Sequence, residues 1–266
     1  MMVDFEQLRS ISSETEQIEK LYELFCEDAR LNRSKAARVE FLTTVSYVER
    51  HLKKGSRILD IGAGTGEYSL YFASKGYEVS ALELTNANLK VFQSKIEPDH
   101  PVDLKQGNAL DLSDYADGSF DVVLLLGPLY HLHDAKDRAR CIAEAKRVCK
   151  PDGVIFFAFI SNDMVILTEF KYDQNYFMSG EYDHNTFKVH DFPFVIDTVE
   201  SARAVLKNAG IVVESEVAAD GMSELLADRI NAMDDDSYAQ YLRYHFYTCE
   251  KKELLGYSNH LLFIGR

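Results

Sequence analysis

The chain has 266 residues, which is enough to bury one large core or a core with a smaller attached lid. Its formal net charge of −14 and its lack of long Lys/Arg runs argue against a nucleic-acid substrate, because an acidic surface repels phosphates. We expect no membrane span, since no apolar stretch approaches the roughly 20 residues that cross a bilayer, and no signal peptide, since the N-terminus lacks a basic start followed by an apolar stretch. Four scattered cysteines without a CxxC pair indicate reduced thiols, so we predict a cytoplasmic protein.

The first part of the chain predicts two helices. Residues 14–28 carry apolar side chains at helical spacing, and residues 34–53 repeat them every three or four positions until Gly55 stops the pattern. We interpret residues 1–54 as an N-terminal helical cap and residues 55–266 as the main domain.

From residue 55 to residue 161, short apolar runs alternate with amphipathic stretches. The predicted order is strand 56–62, helix 64–76, strand 77–84, helix 86–96 capped by Asn86, strand 101–108, strand 119–127, helix 134–150 capped by Asp134, and strand 152–160. No hairpin signal separates the strands. The alternation therefore predicts a parallel sheet with helices on both faces.

The alternation of predicted strands and helices is interrupted after residue 161. Residues 162–197 have weak periodicity and are interpreted as an irregular insertion, after which helix 198–209 and strand 211–218 resume the alternation. Residues 222–255 are interpreted as helical, with an aromatic stripe that favours packing over a role in a lid, and a final strand covers residues 260–266. We predict that segments 162–197 and 222–255 are lids inserted into the main domain.

A glycine-rich loop, Gly62-Ala63-Gly64-Thr65-Gly66, ends the first strand of this alternation and opens a helix. Such a loop turns sharply and lets a nucleotide-like ligand approach bare backbone. Dinucleotide sites require GxGxxG, whereas Glu67 occupies the last position here and would repel a pyrophosphate. No Gly-Lys-Ser/Thr follows, which excludes a P-loop. The pattern favours a positively charged cofactor without phosphates, with Asp60 either beside it or capping the loop.

An acidic residue, Glu83, ends the next strand about 20 residues after the loop. A carboxylate at this place can accept hydrogen bonds from both hydroxyls of a ribose. Together with the loop, it indicates a nucleotide-like cofactor that contains a ribose.

These motifs resemble the class I S-adenosylmethionine-dependent methyltransferases over about residues 55–160. The segments that carry the resemblance are ILDIGAGTGEYS, YEVSALEL, QGNALDL, FDVVLLLGPLYHL and AKRVCKPDGVIFF. The resemblance implies an α/β fold, with a doubly wound, mostly parallel sheet of seven strands, N-terminal helices and a helical or irregular lid. It also implies S-adenosyl-L-methionine as the cofactor and a small-molecule acceptor.

The resemblance also assigns residues to the cofactor. The loop would lie against its methionine part, the residues after the second strand would hold the ribose, those after the third would flank the adenine, and those after the fourth would approach through backbone. A helix before the sheet would reach the cofactor carboxylate through Tyr22, Arg30 or Arg33. The cofactor-binding residues implied are Asp60, Gly62, Ala63, Gly64, Gly66, Glu83, Leu84, Asn108, Ala109, Leu126, Gly127, Tyr22 and Arg33.

Two side chains after the fourth strand, Tyr130 and His131, are the candidate catalytic residues, because ligands bind at this edge of such sheets. They would contact the substrate or take its proton, or else pack the loop. No metal site is predicted, since the run from His131 to Asp134 has no further ligand nearby in sequence. Three alternatives stay open: a tRNA-type RNA methyltransferase, a protein that binds the cofactor without catalysis, and a nicotinamide-dependent oxidoreductase, which Glu67 argues against.

Overall fold

The computed structural model describes residues 8–24, 27–28 and 30–266. Within these residues, no helix is both long and apolar enough to cross a membrane. The chain divides into two compact units, which are formed by the described parts of 1–30 with 51–156 and by 31–50 with 157–266. The segment 1–54 thus contributes to both units, and its role as a cap stays a prediction.

Helices and strands alternate through most of the described chain. The helices are α1 (Glu14–Leu24), α2 (Lys35–Glu49), α3 (Glu67–Ser74), α4 (Asn86–Lys95), α5 (Ala135–Val148), α6 (Asn162–Tyr172), α7 (Val199–Asn208), α8 (Ala227–Asn231) and α9 (Asp235–Thr248). The strands are β1 (Arg57–Ile61), β2 (Glu78–Glu83), β3 (Val102–Gln106), β4 (Phe120–Leu125), β5 (Cys149–Ser161), β6 (Ile196–Asp197), β7 (Val213–Ala218) and β8 (His260–Gly265). Single 3₁₀ turns cover Pro128–Tyr130, Tyr176–Met178 and Lys252–Tyr257.

In the first unit, the strand order is β3-β2-β1-β4-β5. Strand β1 is parallel to both of its neighbours, so that Ile58 is level with Val79 of β2 and with Val122 of β4. These three side chains are buried, as is most of β1 and β4. Because the strands following β1 in sequence lie on opposite sides of it, its carboxyl end is a topological switch point, where ligands bind in open α/β sheets.

In the second unit, the sheet order is β5-β8-β7, and β6 pairs in parallel with the end of β5. Strands β7 and β8 are antiparallel, and β7 lies at the edge of the sheet. A cluster of buried side chains packs under the segment after β5, comprising Ile166, Tyr176, Tyr182, Val189 and Ile196.

The predicted fold class is confirmed, with a central, mostly parallel sheet that has seven strands on its main path and the short β6 beside β5. Two local expectations were wrong. The insertion 162–197 begins with helix α6, whose Met164 and Ile166 are buried. Thr85, not Asn86, caps α4, because its hydroxyl accepts the Asn88 amide. In the aromatic stripe of α9, His245 is buried, Tyr238 and Tyr241 are half-buried, and Tyr244 and Tyr247 are exposed.

The turn from β1 into α3 depends on glycine at Gly66. This residue has φ +87°, and a Cβ built on it would lie 2.4 Å from the ring of Phe92 on α4. Phe92 is fully buried, so its ring cannot move aside into solvent. Gly76 is a matched position without this contact, since it has φ +85° and no atom within 4 Å of a built Cβ.

We predict that Gly66→Ala destabilises the protein much more than Gly76→Ala. Both substitutions force an alanine into the left-handed region, at a cost of roughly 1 kcal/mol. Only Gly66→Ala also overpacks the core against Phe92, which adds about 1–3 kcal/mol. Urea unfolding of the two variants measures the difference, and equal losses of stability would show that Phe92 does not constrain the turn.

Candidate functional site

The glycine loop after β1 is held to the neighbouring strand by its own backbone. The amides of Gly62 and Ala63 both donate to the Leu82 carbonyl of β2, at 2.8 and 3.0 Å. The Gly66 amide donates to the Ala63 carbonyl at 2.9 Å, which closes the turn. The three glycines all have positive φ. The loop is therefore a fixed turn at the carboxyl end of β1.

The loop after β4 approaches the glycine loop through bare backbone. A Cβ built on Gly62 would lie 2.9 Å from the Pro128 ring, and one built on Gly127 would lie 3.2 Å from the Gly62 carbonyl oxygen. Gly127 and Leu126 are half-buried, and the same built Cβ of Gly127 lies 3.8 Å from the Tyr130 hydroxyl. The structure thus brings the residues predicted after β1 and β4 together at the switch point.

The carboxylate of Glu83 joins the end of β2 to the glycine loop. Its Oε2 accepts the Gly64 amide at 2.8 Å, while its Oε1 accepts the amide and hydroxyl of Thr85 and the side-chain amide of Asn88. Burial raises the pKa of Glu83, and the hydrogen bonds from Thr85, Gly64 and Asn88 only partly oppose this. Three donors saturate Oε1, so Oε2 has the capacity for one further hydrogen bond. This geometry favours one ligand hydroxyl at Glu83, where the sequence predicted two.

A second acid, Asp60, lies under the loop and is only 2% exposed. Its Oδ2 accepts the Ser69 hydroxyl of α3 at 2.7 Å. Burial raises the pKa of Asp60 to about 7; the Ser69 hydrogen bond opposes this and the Glu83 charge adds to it. Both carboxylates are therefore costly to ionise, and a positive charge placed beside them would be stabilised.

Helix α1 contributes Tyr22 to the same region. The Tyr22 hydroxyl forms a 2.9 Å hydrogen bond with His131 Nε2, and the His131 ring lies 5.0 Å from that of Tyr130. Burial, and to a lesser extent the neighbouring Tyr130, Glu27 and Glu83, raise the pKa of Tyr22 well above its usual value. Burial lowers the pKa of His131 to about 3. Both side chains are therefore neutral at physiological pH.

An acidic residue that the sequence did not point to, Glu27, also faces the glycine loop. Its Cγ lies 3.8 Å from a Cβ built on Gly64, and its Oε1 accepts from Arg30 Nε at 2.6 Å. The sequence could have indicated Glu27 only through its position in the same stretch, residues 14–28, as Tyr22. Arg30 thus lies near the loop, whereas Arg33 is exposed and belongs to the second unit, where its predicted role stays untested.

The side chain of Glu67 is engaged outside the loop. Its Oε1 lies 2.8 Å from Lys95 Nζ, which also pairs with Asp28 at 2.5 Å. The lysine offsets the charge that we expected to repel a pyrophosphate. The case against a dinucleotide therefore depends on the absence of a glycine at the last position of GxGxxG, which Glu67 occupies, and on the buried acids Asp60 and Glu83.

The residues after β3 form a turn of their own. Asn108 Oδ1 accepts the Leu110 amide at 2.9 Å, so its Nδ2 is the group that it can offer to a ligand. The Gly107 amide donates to the Glu83 carbonyl at 3.0 Å, which ties this turn to the end of β2. Ala109 and Leu84 are half-buried beside these contacts. The predicted residues after β2 and β3 thus share one edge of the sheet.

The chemistry of these groups fits S-adenosylmethionine. A loop with three glycines accepts close approach of a ligand, and the carboxyls of Glu27, Asp60 and Glu83 favour a cation over an anion. The free acceptor position of Glu83 suits a ribose hydroxyl of an adenosine, and the Asn108 amide suits a ring nitrogen of its adenine. The predicted catalytic pair, Tyr130 and His131, lies at the same edge beside Tyr22.

Residues 59–157 match the methyltransferase domain family. The chain is 24% identical over 204 residues to the ubiquinone biosynthesis O-methyltransferase of Chromobacterium violaceum, which covers 74% of this chain and 82% of that protein. It is 37% identical over 108 residues to the demethylmenaquinone methyltransferase of Renibacterium salmoninarum, covering 41% of this chain and 43% of that one. The chain spans about half the length of most of the curated relatives that it matches.

The fold is similar to that of a solved protein of Pyrococcus horikoshii OT3, with a TM-score of 0.61 at 17% identity, over 93% of this chain and 98% of that one. At this identity the similarity concerns the fold. Residues 59–157 therefore form a methyltransferase domain, and the match and the geometry of the site both support S-adenosylmethionine as its cofactor.

Proposed function

We propose that the protein methylates a hydroxyl group of a small phenol or hydroquinone. The observation that carries this proposal is the neutral Tyr22–His131 pair beside the glycine loop. The relatives from Chromobacterium violaceum and Renibacterium salmoninarum, a ubiquinone biosynthesis O-methyltransferase and a demethylmenaquinone methyltransferase, support a quinone-type acceptor. The acidic net charge supports a small molecule over RNA.

When bound, the cofactor supplies a methyl group that its positive sulfonium already activates. The protein then has to align the acceptor and exclude water. The backbone of Gly62, Ala63, Gly64 and Gly66 would hold the methionine part, Glu83 a ribose hydroxyl, and Asn108 with Ala109 the adenine. Asp60 and Glu27 would offset the positive charge.

The low pKa of His131 limits which classes of methyl acceptor suit the site. A histidine whose pKa burial lowers to about 3 holds a proton poorly at neutral pH, so it acts as a hydrogen-bonding partner rather than as a strong base. The acceptor must therefore lose its proton with little help. Phenols, whose pKa lies near 10, ionise far more readily than aliphatic alcohols. We infer that Tyr22 and His131 orient a phenolic hydroxyl toward the methyl group.

We also propose that the protein works in the cytoplasm. The described cysteines Cys141, Cys149 and Cys249 are buried thiols, which is typical of a reducing compartment.

The reaction itself is tested with a panel of acceptors. Incubation with S-adenosylmethionine should yield S-adenosylhomocysteine with catechols or hydroquinones, and much less with aliphatic alcohols, amines or unmodified tRNA. Product is followed by liquid chromatography and mass spectrometry. Tight cofactor binding without turnover on any acceptor would favour the non-catalytic alternative, and turnover with tRNA alone would favour the RNA methyltransferase.

Tyr22→Phe tests the orienting pair. We expect kcat/KM for the acceptor to fall by about 10- to 100-fold, because the hydroxyl that fixes His131 is lost. The dissociation constant for S-adenosylmethionine should change by less than about threefold. Tyr77→Phe is a matched control, since Tyr77 precedes β2 and lies at the opposite end of that strand from Glu83. An unchanged kcat/KM in Tyr22→Phe would remove the pair from the mechanism.

The raised pKa of Asp60 predicts a pH dependence of cofactor binding. A cation favours ionised Asp60, so binding of S-adenosylmethionine should release protons below pH 7 and strengthen as the pH rises from 6 to 8. S-adenosylhomocysteine lacks the sulfonium and should show a weaker dependence. Titration calorimetry in buffers of different ionisation enthalpy measures both, and identical slopes for the two compounds would contradict the role of Asp60.

The raised pKa of Asp60 also predicts how Asp60→Asn changes the free energy of unfolding of the protein without bound cofactor. Because the folded carboxyl keeps its proton up to a pKa of about 7 and the unfolded one loses it near 3.8, Asp60 lowers the free energy of unfolding as the pH rises between these values. The variant should therefore gain stability relative to the parent at pH 8 but not at pH 4. It should also flatten the pH dependence of S-adenosylmethionine binding. Urea unfolding at both pH values gives the comparison.

Glu83→Gln tests the contact at the end of β2. We expect at least about tenfold weaker binding of both S-adenosylmethionine and S-adenosylhomocysteine, because the amide cannot reproduce the carboxylate's acceptor set. Asp103→Asn removes an exposed acid from the adjacent strand β3 and should leave binding unchanged. Circular dichroism must show that the Gln variant is folded. Parental affinity in a folded Glu83→Gln protein would refute the assignment.

A further inference from the structure

A cluster of potential metal ligands lies in the second unit, whereas the glycine loop, Glu83 and the Tyr22–His131 pair lie in the first. It consists of Glu40 on α2, Asp220 just after β7, and His260 at the start of β8. One ligand atom of each residue lies within 4.8 Å of those of the other two. The side chains are only 13%, 10% and 24% exposed, respectively. Three segments far apart in sequence thus converge on one small volume.

The distances within the cluster are close to those of a tetrahedral metal site. His260 Nδ1 lies 2.9 Å from Asp220 Oδ2 and 3.2 Å from Glu40 Oε2. Ligands that bind Zn²⁺ at about 2.0–2.1 Å in a tetrahedron lie about 3.3 Å from one another. Small side-chain rotations would therefore admit a zinc ion between the three atoms.

A network behind the ligands fixes their orientation. The Ser258 hydroxyl and the His260 amide both donate to Asp220 Oδ1, at 2.5 and 3.1 Å, which turns Oδ2 toward His260 and Glu40. The Ser258 oxygen also accepts the Gly221 amide at 2.9 Å. Outer hydrogen bonds of this kind hold carboxylate ligands in protein metal sites. Here they preorganise the carboxylate of Asp220 from the side away from the cluster.

The charges also favour a divalent cation. Two carboxylates face one imidazole in a largely buried place, and burying charges that are not balanced is costly. A divalent ion would balance both carboxylates and leave the imidazole neutral.

We propose that Glu40, Asp220 and His260 bind a divalent transition metal ion, and that Zn²⁺ suits this set of donors. One imidazole nitrogen with two carboxylate oxygens is a zinc ligand set, whereas Mg²⁺ prefers an octahedron of oxygens. The bound ion would tie α2 to the residues that flank β7 and β8. This site is independent of the proposed methyl transfer, since none of its residues belongs to the cofactor loop or to the Tyr22–His131 pair.

The experiment uses the full chain, freed of any affinity tag and stripped with a chelator. After incubation with Zn²⁺ and dialysis, elemental analysis should find one zinc ion per chain. Asp220→Asn and Glu40→Gln, which keep side-chain size, should weaken zinc binding at least tenfold. His100→Gln is the matched control, because His100 is an exposed histidine paired with the single carboxylate Glu97, and it should bind zinc like the parent.

A measurement on the unaltered chain guards against variants that fail to fold. Co²⁺ added to the stripped parent protein should give the intense visible absorption of a tetrahedral site, and Zn²⁺ should displace it. The absence of retained zinc and of this spectrum would overturn the proposal and identify the cluster as an ion triad held by a proton. Zinc retained equally by folded Asp220→Asn and Glu40→Gln would overturn it as well. Methyl transfer can fail or succeed without altering any of these results.

Discussion

The hydrogen bond from the Gly64 amide to Glu83 is the contact on which the cofactor site depends. It links a loop with glycine at three of its five positions to the end of the neighbouring strand, at a switch point that the parallel strand order creates. The same carboxylate accepts from Thr85, which caps α4, so one side chain fixes both the loop and the start of the next helix. A change at Glu83 therefore affects structure and binding together.

Because the acids of this site are buried, the site discriminates between ligands by their charge. Asp60 and Glu83 both have raised pKa values because they are buried, and the charge of Glu83 raises the pKa of Asp60 further. Such a pair stabilises a ligand that brings positive charge and disfavours one that brings phosphates. Lys95 forms an ion pair with Glu67 in the first turn of α3. The selectivity for a positively charged ligand therefore comes from Asp60 and Glu83 and not from Glu67.

Local sequence patterns predicted most of the first unit. The glycine spacing and Glu83 could be identified because each lies at the end of an apolar strand, where parallel topology places functional side chains. The contact of Glu27 with the loop and the α4 cap of Thr85 were missed, since both depend on side-chain directions that spacing does not fix. Helix α6 was missed because few of its apolar residues are buried. The cluster of Glu40, Asp220 and His260 could not be predicted, as its members converge only through tertiary folding.

The protonation states of Tyr22 and His131 connect the fold to the choice of acceptor. Helix α1 covers His131, and this burial leaves the imidazole and the phenol neutral across the physiological range. A neutral pair forms hydrogen bonds without adding charge beside a sulfonium, so it can orient an acceptor without competing with Glu27, Asp60 and Glu83 for the cofactor. In the proposed reaction, the proton would then leave an acceptor that is itself acidic. On that proposal, the covering helix, more than any single catalytic group, favours a phenolic hydroxyl over an aliphatic one.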